Sequence, residues 1–246
     1  DISLLGRLLS VLRNDPSDVA RAAAAMGLGR YVLAGELEEL EPPVRARIMI
    51  ELLTTIYLAD ESIDVRRRAI ESAAYACTPE VGEFLEVAYY DDDEEMRISA
   101  VVGMGRSCDD RWQDIILVEM ESTSAAMRYE AALASGGLGL RAAVPILSRL
   151  LDDADPQIRD ASIWALGQIG GGQAKQALMA AYEDADEDSR AVLDEALAEQ
   201  ALSEGNLEFL LYEIDKDDDG DLFDYEITTL WSQDYEMEDE GDLDCW

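Results

Sequence analysis

The chain has no histidine, three cysteines, 19 basic residues against 55 acidic ones, and no apolar run long enough to cross a bilayer. Each shortage removes a class of function. Without imidazole, Ser-His-Asp and Cys-His nucleophile systems cannot be assembled, nor can His-ligated metal centres. A net charge of −36 repels polyanions, which excludes nucleic acid and anionic membrane surfaces as partners. The short apolar runs predict no membrane span. Cys77, Cys108 and Cys245 have neither the spacing of a disulfide framework nor that of a zinc site, so reduced thiols in a cytoplasmic protein are expected. The sequence opens at Asp1 inside a helical pattern and without an initiator Met, which reads as a fragment of a longer chain.

What is present is a repeat. Arg66, Arg97, Arg128, Arg159 and Arg190 follow one another at intervals of 31 residues, and Gly105, Gly136 and Gly167 keep the same interval. So do the apolar pairs Phe84-Leu85, Ile115-Ile116 and Ile146-Leu147. A fixed period in this range implies a solenoid, in which each unit buries its apolar face by stacking on its neighbours. Around residues 142–172 the unit reads as two helices. Val144, Ile146, Leu147, Leu150 and Leu151 recur at helical spacing after a start marked by Pro145, forming a helix A. The acidic run Asp152 to Asp155 with Pro156 breaks it and caps a helix B, which Gly170 ends.

Arg21 marks a first unit, but it lies 45 residues before Arg66, so about fourteen extra residues are expected in the loop 35–43. The fold expected is all-α, a right-handed α-α superhelix of about six two-helix units over residues 1–202. The period is lost after Leu202, leaving a capping segment over 203–231 and an acidic tail over 232–246. Cys77 and Cys108 occupy equivalent places in consecutive units, which predicts a separation of about 10 Å, beyond disulfide reach.

The acidic turn, apolar residue, arginine, small residue and leucine-glycine ending of DDADPQIRDASIWALGQIGG (152–171) and DESIDVRRRAIESAAY (60–75) resemble HEAT-like repeats of the phycobilisome-lyase class. The resemblance runs from about Asp15 to Leu202. It implies that the repeated arginines pair with turn aspartates and tie units together, and that the B helices line a concave surface. HEAT-like hydroxylases depend on His-Glu pairs for their di-iron site, which this chain does not possess.

With the repeated arginine as zero, positions −1, +3, +7 and +10 carry the core, which turns +1, +5 and +9 away from it. That outer stripe holds Arg67, Ile98 and Tyr129 at +1, Met26, Glu71, Val102, Leu133 and Trp164 at +5, and Arg30 and Arg106 at +9. Apolar and aromatic residues on a surface expected to be polar predict a groove for a peptide or helix of another protein. The expected function is therefore a non-catalytic protein-binding scaffold. The alternative implied by the resemblance is a phycobilin-lyase-like or lyase-chaperone subunit.

One further motif carries chemistry. Asp215, Asp217 and Asp219 stand at positions 1, 3 and 5 of an EF-hand loop, Gly220 at 6, Asp221 with its carbonyl at 7 and Glu226 at 12. Phe223 at position 9 departs from the pattern, and no second loop pairs with this one, so the readings are an acidic loop that caps the solenoid or, as a further alternative for function, a single weak Ca²⁺ site that modulates the scaffold.

Overall fold

The computed structural model describes residues 2–58 and 61–203, which fall within one compact unit. The expected cap and tail from residue 204 onward, including Asp215, Asp217, Asp219, Asp221 and Glu226, lie outside the described residues. Twelve α-helices and two single-turn 3₁₀ segments make up the described residues, with no strand among them. They alternate A and B: α1 (Ile2–Asn14) and α2 (Asp18–Glu36), α3 (Pro42–Tyr57) and α4 (Ile63–Ala73), α5 (Pro79–Tyr89) and α6 (Glu94–Arg106). The order continues with α7 (Gln113–Glu119) and α8 (Ala125–Gly137), α9 (Val144–Leu150) and α10 (Pro156–Ile169), α11 (Gly171–Asp184) and α12 (Glu187–Ser203).

The helix starts follow from the caps. Ser17, Asp93 and Asp155 each accept a backbone N–H of the first turn that follows, satisfying a donor that the helix leaves orphaned and stabilising each start by about 1 kcal/mol. Gly170 ends α10 at φ 63, a left-handed conformation that glycine adopts without steric penalty. The core positions read from the period are buried: Val65, Met96, Met127 and Ile158 at −1, Ala69, Ala100, Ala131 and Ser162 at +3, and Ala73, Met104, Ser135 and Leu166 at +7.

The B helices stack closely on one another in chain order, whereas each A helix packs chiefly on the B helices beside it. The layer with the tighter spacing is the inner one, which makes the B face concave. A small-residue contact sets this spacing. A Cβ added at Gly105 would lie 2.6 Å from the Cα of Ala134, one at Gly136 2.8 Å from that of Ala165, and one at Gly167 3.2 Å from that of Ala196. In the second unit the pair is exchanged, with Ala74 in the glycine's place and Gly103 opposite it on α6. The glycines in residues 103–105 and 136–137 therefore lie within α6 and α8 and let backbones approach.

The extra residues before Arg66 are not a loop. They lengthen α2 to 19 residues and α3 to 16, and the connection between them is short. The apolar periodicity continues through both helices, with Leu28, Val32, Ile48, Leu52 and Ile56 buried, so burial favours two longer helices over a solvated insertion. Arg45 of α3 pairs with Glu36 at the end of α2 and fixes the corner.

Candidate partner groove

The repeated arginines act on the turns in two ways, through a backbone contact that the sequence did not suggest and, at Arg128 and Arg21, through the expected pairing with an acidic turn residue of the next unit. Arg97, Arg128 and Arg159 each turn back over their own unit and donate to the turn carbonyl six residues earlier, at 2.9, 3.0 and 2.8 Å to Asp91, Ser122 and Asp153. Arg21 makes the same bond to Asp15. The guanidinium thus holds the bend between A and B, where backbone acceptors would otherwise lack a partner. Two arginines also reach the next unit: Arg128 grips Asp153 through Nε and Nη2 at 3.0 and 3.2 Å, and Arg21 grips Glu61. The hydrogen bond from Arg128, with help from the Asp155 N–H, holds the Asp153 carboxyl below the usual carboxylate range.

Between α4, α6 and α8 the concave face opens into a groove of about 460 Å³. Seven residues of the outer stripe line it: Arg67, Glu71, Ile98, Val102, Arg106, Tyr129 and Leu133. Ile98 is 7% exposed and forms floor more than rim. Met26, at 58% exposed, and Arg30 lie further along on α2, outside this groove. Trp164 is 39% exposed on α10 and also outside it; its indole rests where a side chain on Gly136 would be, so it is half covered by the neighbouring helix.

Apolar walls surround a polar base that the stripe reading did not resolve. Glu71 is buried, although its register places it on the outer face, and Arg68 donates to both of its carboxylate oxygens at 2.9 and 2.7 Å. Ser99 donates to Glu71 at 2.6 Å and accepts from Arg67 Nε at 3.0 Å. Arg67 also meets Glu95 at 2.7 Å. Arg106 donates to the Glu71 carbonyl at 2.9 Å and lies over the Tyr75 ring, 5.1 Å from its centroid. Every arginine of the groove is therefore engaged by the protein itself.

Glu130 is the exception among the groove's charges. It stands half-buried on α8 with no ion pair or hydrogen bond among the described residues. Burial first and the charge of Glu71 second push its carboxyl above the usual range, against the pull of Arg106 and Arg68. Sequence reading missed Glu130 and Arg68 because position +2 varies between units; Ala23, Ser99 and Ala161 occupy it elsewhere.

Residues 114–198 match the family model described as HEAT repeats. Over that stretch the chain is built of HEAT repeats, and the described helices form an all-α solenoid of HEAT-like two-helix units. The match is to HEAT repeats at large and does not point to the phycobilisome-lyase class. No curated protein matches the chain in sequence. Among solved structures, the solenoid is similar to an engineered protein at 18% identity, over 80% of this chain and 96% of that one, with a TM-score of 0.48. A designed armadillo repeat protein in complex with the peptide (KR)4 aligns at 20% identity over 80% and 99% of the two chains, TM-score 0.48. Human deoxyhypusine hydroxylase aligns at 18% identity over 80% and 84%, TM-score 0.38.

Elsewhere on the solenoid, no described helix is long and apolar enough to cross a membrane, and no group of three His, Cys, Asp or Glu side chains that could hold a metal occurs among the described residues. The A layer exposes apolar residues that the sequence reading did not single out, among them Tyr57, Val87, Tyr90 and Val118. Their signal was present in the equal register of Val87 and Val118, one period apart.

Proposed function

We propose that the solenoid is a non-catalytic protein-binding scaffold whose concave B face takes a peptide or helix from a partner, with a Lys or Arg of that partner set against Glu130. The observation that carries this reading is the mismatch inside the groove. Apolar side chains of Val102, Tyr129 and Leu133 line it, its three arginines are already satisfied, and Glu130 has no cation of its own. The charge of the whole chain favours the same partner, because a net −36 raises the encounter rate with basic segments. A cation entering beside Glu130 requires the ionised carboxylate. Binding should therefore release a proton and strengthen as pH rises through the raised Glu130 pKa.

A fluorescein-labelled 15-residue amphipathic peptide of Leu, Ala and Arg, measured by anisotropy against the full chain in 150 mM salt, tests the reading. Glu130→Gln is expected to weaken binding by about tenfold, equivalent to about 1.4 kcal/mol, with little effect from Glu83→Gln on the outer layer. Equal losses in the two variants, or no binding by the wild-type chain, would sink the groove reading.

A further inference from the structure

The turn between α7 and α8 departs from the others at one position. Six residues before the repeated arginine stand Asp15, Asp60, Asp91, Asp153 and Asp184, and in the fourth unit alone a serine, Ser122. Serine is ordinary two residues later, at the helix cap, where Ser17 and Ser62 match Ser124. At the earlier position it displaces a carboxylate that has two tasks. Asp91 and Asp153 each accept the backbone N–H two residues on at 2.9 Å, and Asp153 also receives Arg128 of the preceding unit. The Ser122 hydroxyl accepts the Ser124 N–H only at 3.4 Å and receives no arginine.

The missing carboxylate leaves a cation behind. Arg97 stands to Ser122 as Arg128 stands to Asp153, one period earlier. The two arginines hold the same posture: Nη1 of Arg97 donates to the Asp91 and Asp92 carbonyls at 2.9 and 3.0 Å, and Nη1 of Arg128 to those of Ser122 and Thr123 at 3.0 and 3.4 Å. Their helices are spaced alike, by Gly105 against Ala134 and by Gly136 against Ala165. Yet Nε and Nη2, which in Arg128 grip Asp153, make no hydrogen bond or ion pair in Arg97 among the described residues. Tyr89 closes the same corner, its hydroxyl donating to Glu119 at 2.6 Å across units three and four. The junction before it is built differently: there the small-residue pair is exchanged, and Arg66 turns its Nε to the Ile56 carbonyl at 3.2 Å.

We propose that Ser122 is a phosphorylation site, whose phosphate takes the place of the missing aspartate, binds Arg97 and clamps units three and four together. The serine hydroxyl gives its proton to the base of a protein kinase as its oxygen attacks the γ-phosphorus of a nucleoside triphosphate. The new O–P bond replaces the bond to the β-phosphate, and the nucleoside diphosphate leaves. A phosphate brings a charge of roughly −1.5 to −2 and acceptor oxygens that suit two parallel N–H groups of a guanidinium. Ser122 lies half-buried between the exposed residues Glu121 and Thr123. Glu119 and Glu121 on its N-terminal side suit a kinase with a basic substrate cleft. Because α6 and α8 start at this corner and wall the groove, the clamp would fix the groove's width. The inference stands whether or not the groove binds a partner.

The full chain carrying phosphoserine at position 122, installed during translation at a reassigned codon, should melt several degrees above the unmodified chain. Ser122→Asp, which restores the residue of the other five units, should recover part of that rise. Both gains should vanish in Arg97→Gln. That variant also loses the turn bonds to Asp91 and Asp92, so proton exchange followed by NMR supplies a measurement without it. The Arg97 Nε proton should exchange more slowly by about tenfold once Ser122 is phosphorylated, while that of Arg128 stays as it was. In the chain isolated from its own cells with phosphatase inhibitors, the tryptic peptide from Trp112 to Arg128 should carry phosphate on Ser122. An equal rise in melting temperature with Arg97→Gln, an Arg97 proton that exchanges as before, or a native peptide without phosphate on Ser122 would each overturn the proposal.

Discussion

At the residue scale the solenoid depends on a few charged groups with opposite energetic signs. Arg128 ties its own turn carbonyls to Asp153 of the next unit, and 20% of its side chain is exposed, so Arg128→Ala leaves acceptors and a carboxylate without their partner. Urea unfolding at neutral pH should place the loss at about 1–3 kcal/mol. The Asp153 carboxyl is depressed in the folded state, so its share of stability is present above the unfolded carboxylate range and is lost as pH falls through the folded value. The gap between wild type and variant should narrow as pH drops below about 4. Glu130 has the opposite sign. Its carboxyl is raised on folding, so its charge destabilises the native state at neutral pH, and this cost disappears as pH falls through the unfolded value. Glu130→Gln should therefore melt at or above the wild-type temperature at pH 7, and a lower melting temperature would mean that Glu130 supports the fold. A carboxylate that costs stability and sits on a groove wall fits a binding residue better than a scaffold residue.

At the element scale the spacing between B helices rests on one glycine or alanine per interface. Gly136→Ala would bring a methyl to within 2.8 Å of the Ala165 Cα and 2.7 Å of the Trp164 ring, contacts that move a helix and not merely a rotamer. Chemical denaturation should show a loss of about 1–3 kcal/mol. Gly6 offers the control, because it lies inside α1 with nothing within 4 Å of an added Cβ. There the same substitution should stabilise by about 0.5–1 kcal/mol, since alanine loses less backbone freedom in a helix. Opposite signs for the two glycines would separate packing from propensity. Two losses of equal size would mean that helix spacing is not set by the small-residue contact.

At the scale of the whole molecule, charge opposes compactness. A chain at −36 repels itself, and that repulsion is screened within about 10 Å at 0.1 M salt. The melting temperature should rise between roughly 20 and 300 mM sodium chloride, while the affinity for a basic amphipathic peptide falls over the same range. A melting temperature that drops with salt would show that the ion pairs between units, such as Arg21 with Glu61 and Arg128 with Asp153, outweigh the net repulsion.

The sequence by itself determined the period, the two-helix unit, the buried positions −1, +3 and +7, and the cap at Asp155, because each is local or follows from a helical repeat of 3.6 residues. It also placed Val102, Arg106, Tyr129 and Leu133 on one face. Tertiary structure decided what depends on neighbouring helices. The surplus before Arg66 became longer helices because α2 and α3 had apolar partners to bury against. Glu71 became buried because Arg68 and Ser99 supply hydrogen bonds that offset its desolvation, while Glu130, three repeats from the start and with no such donor, was left as the groove's unmatched charge.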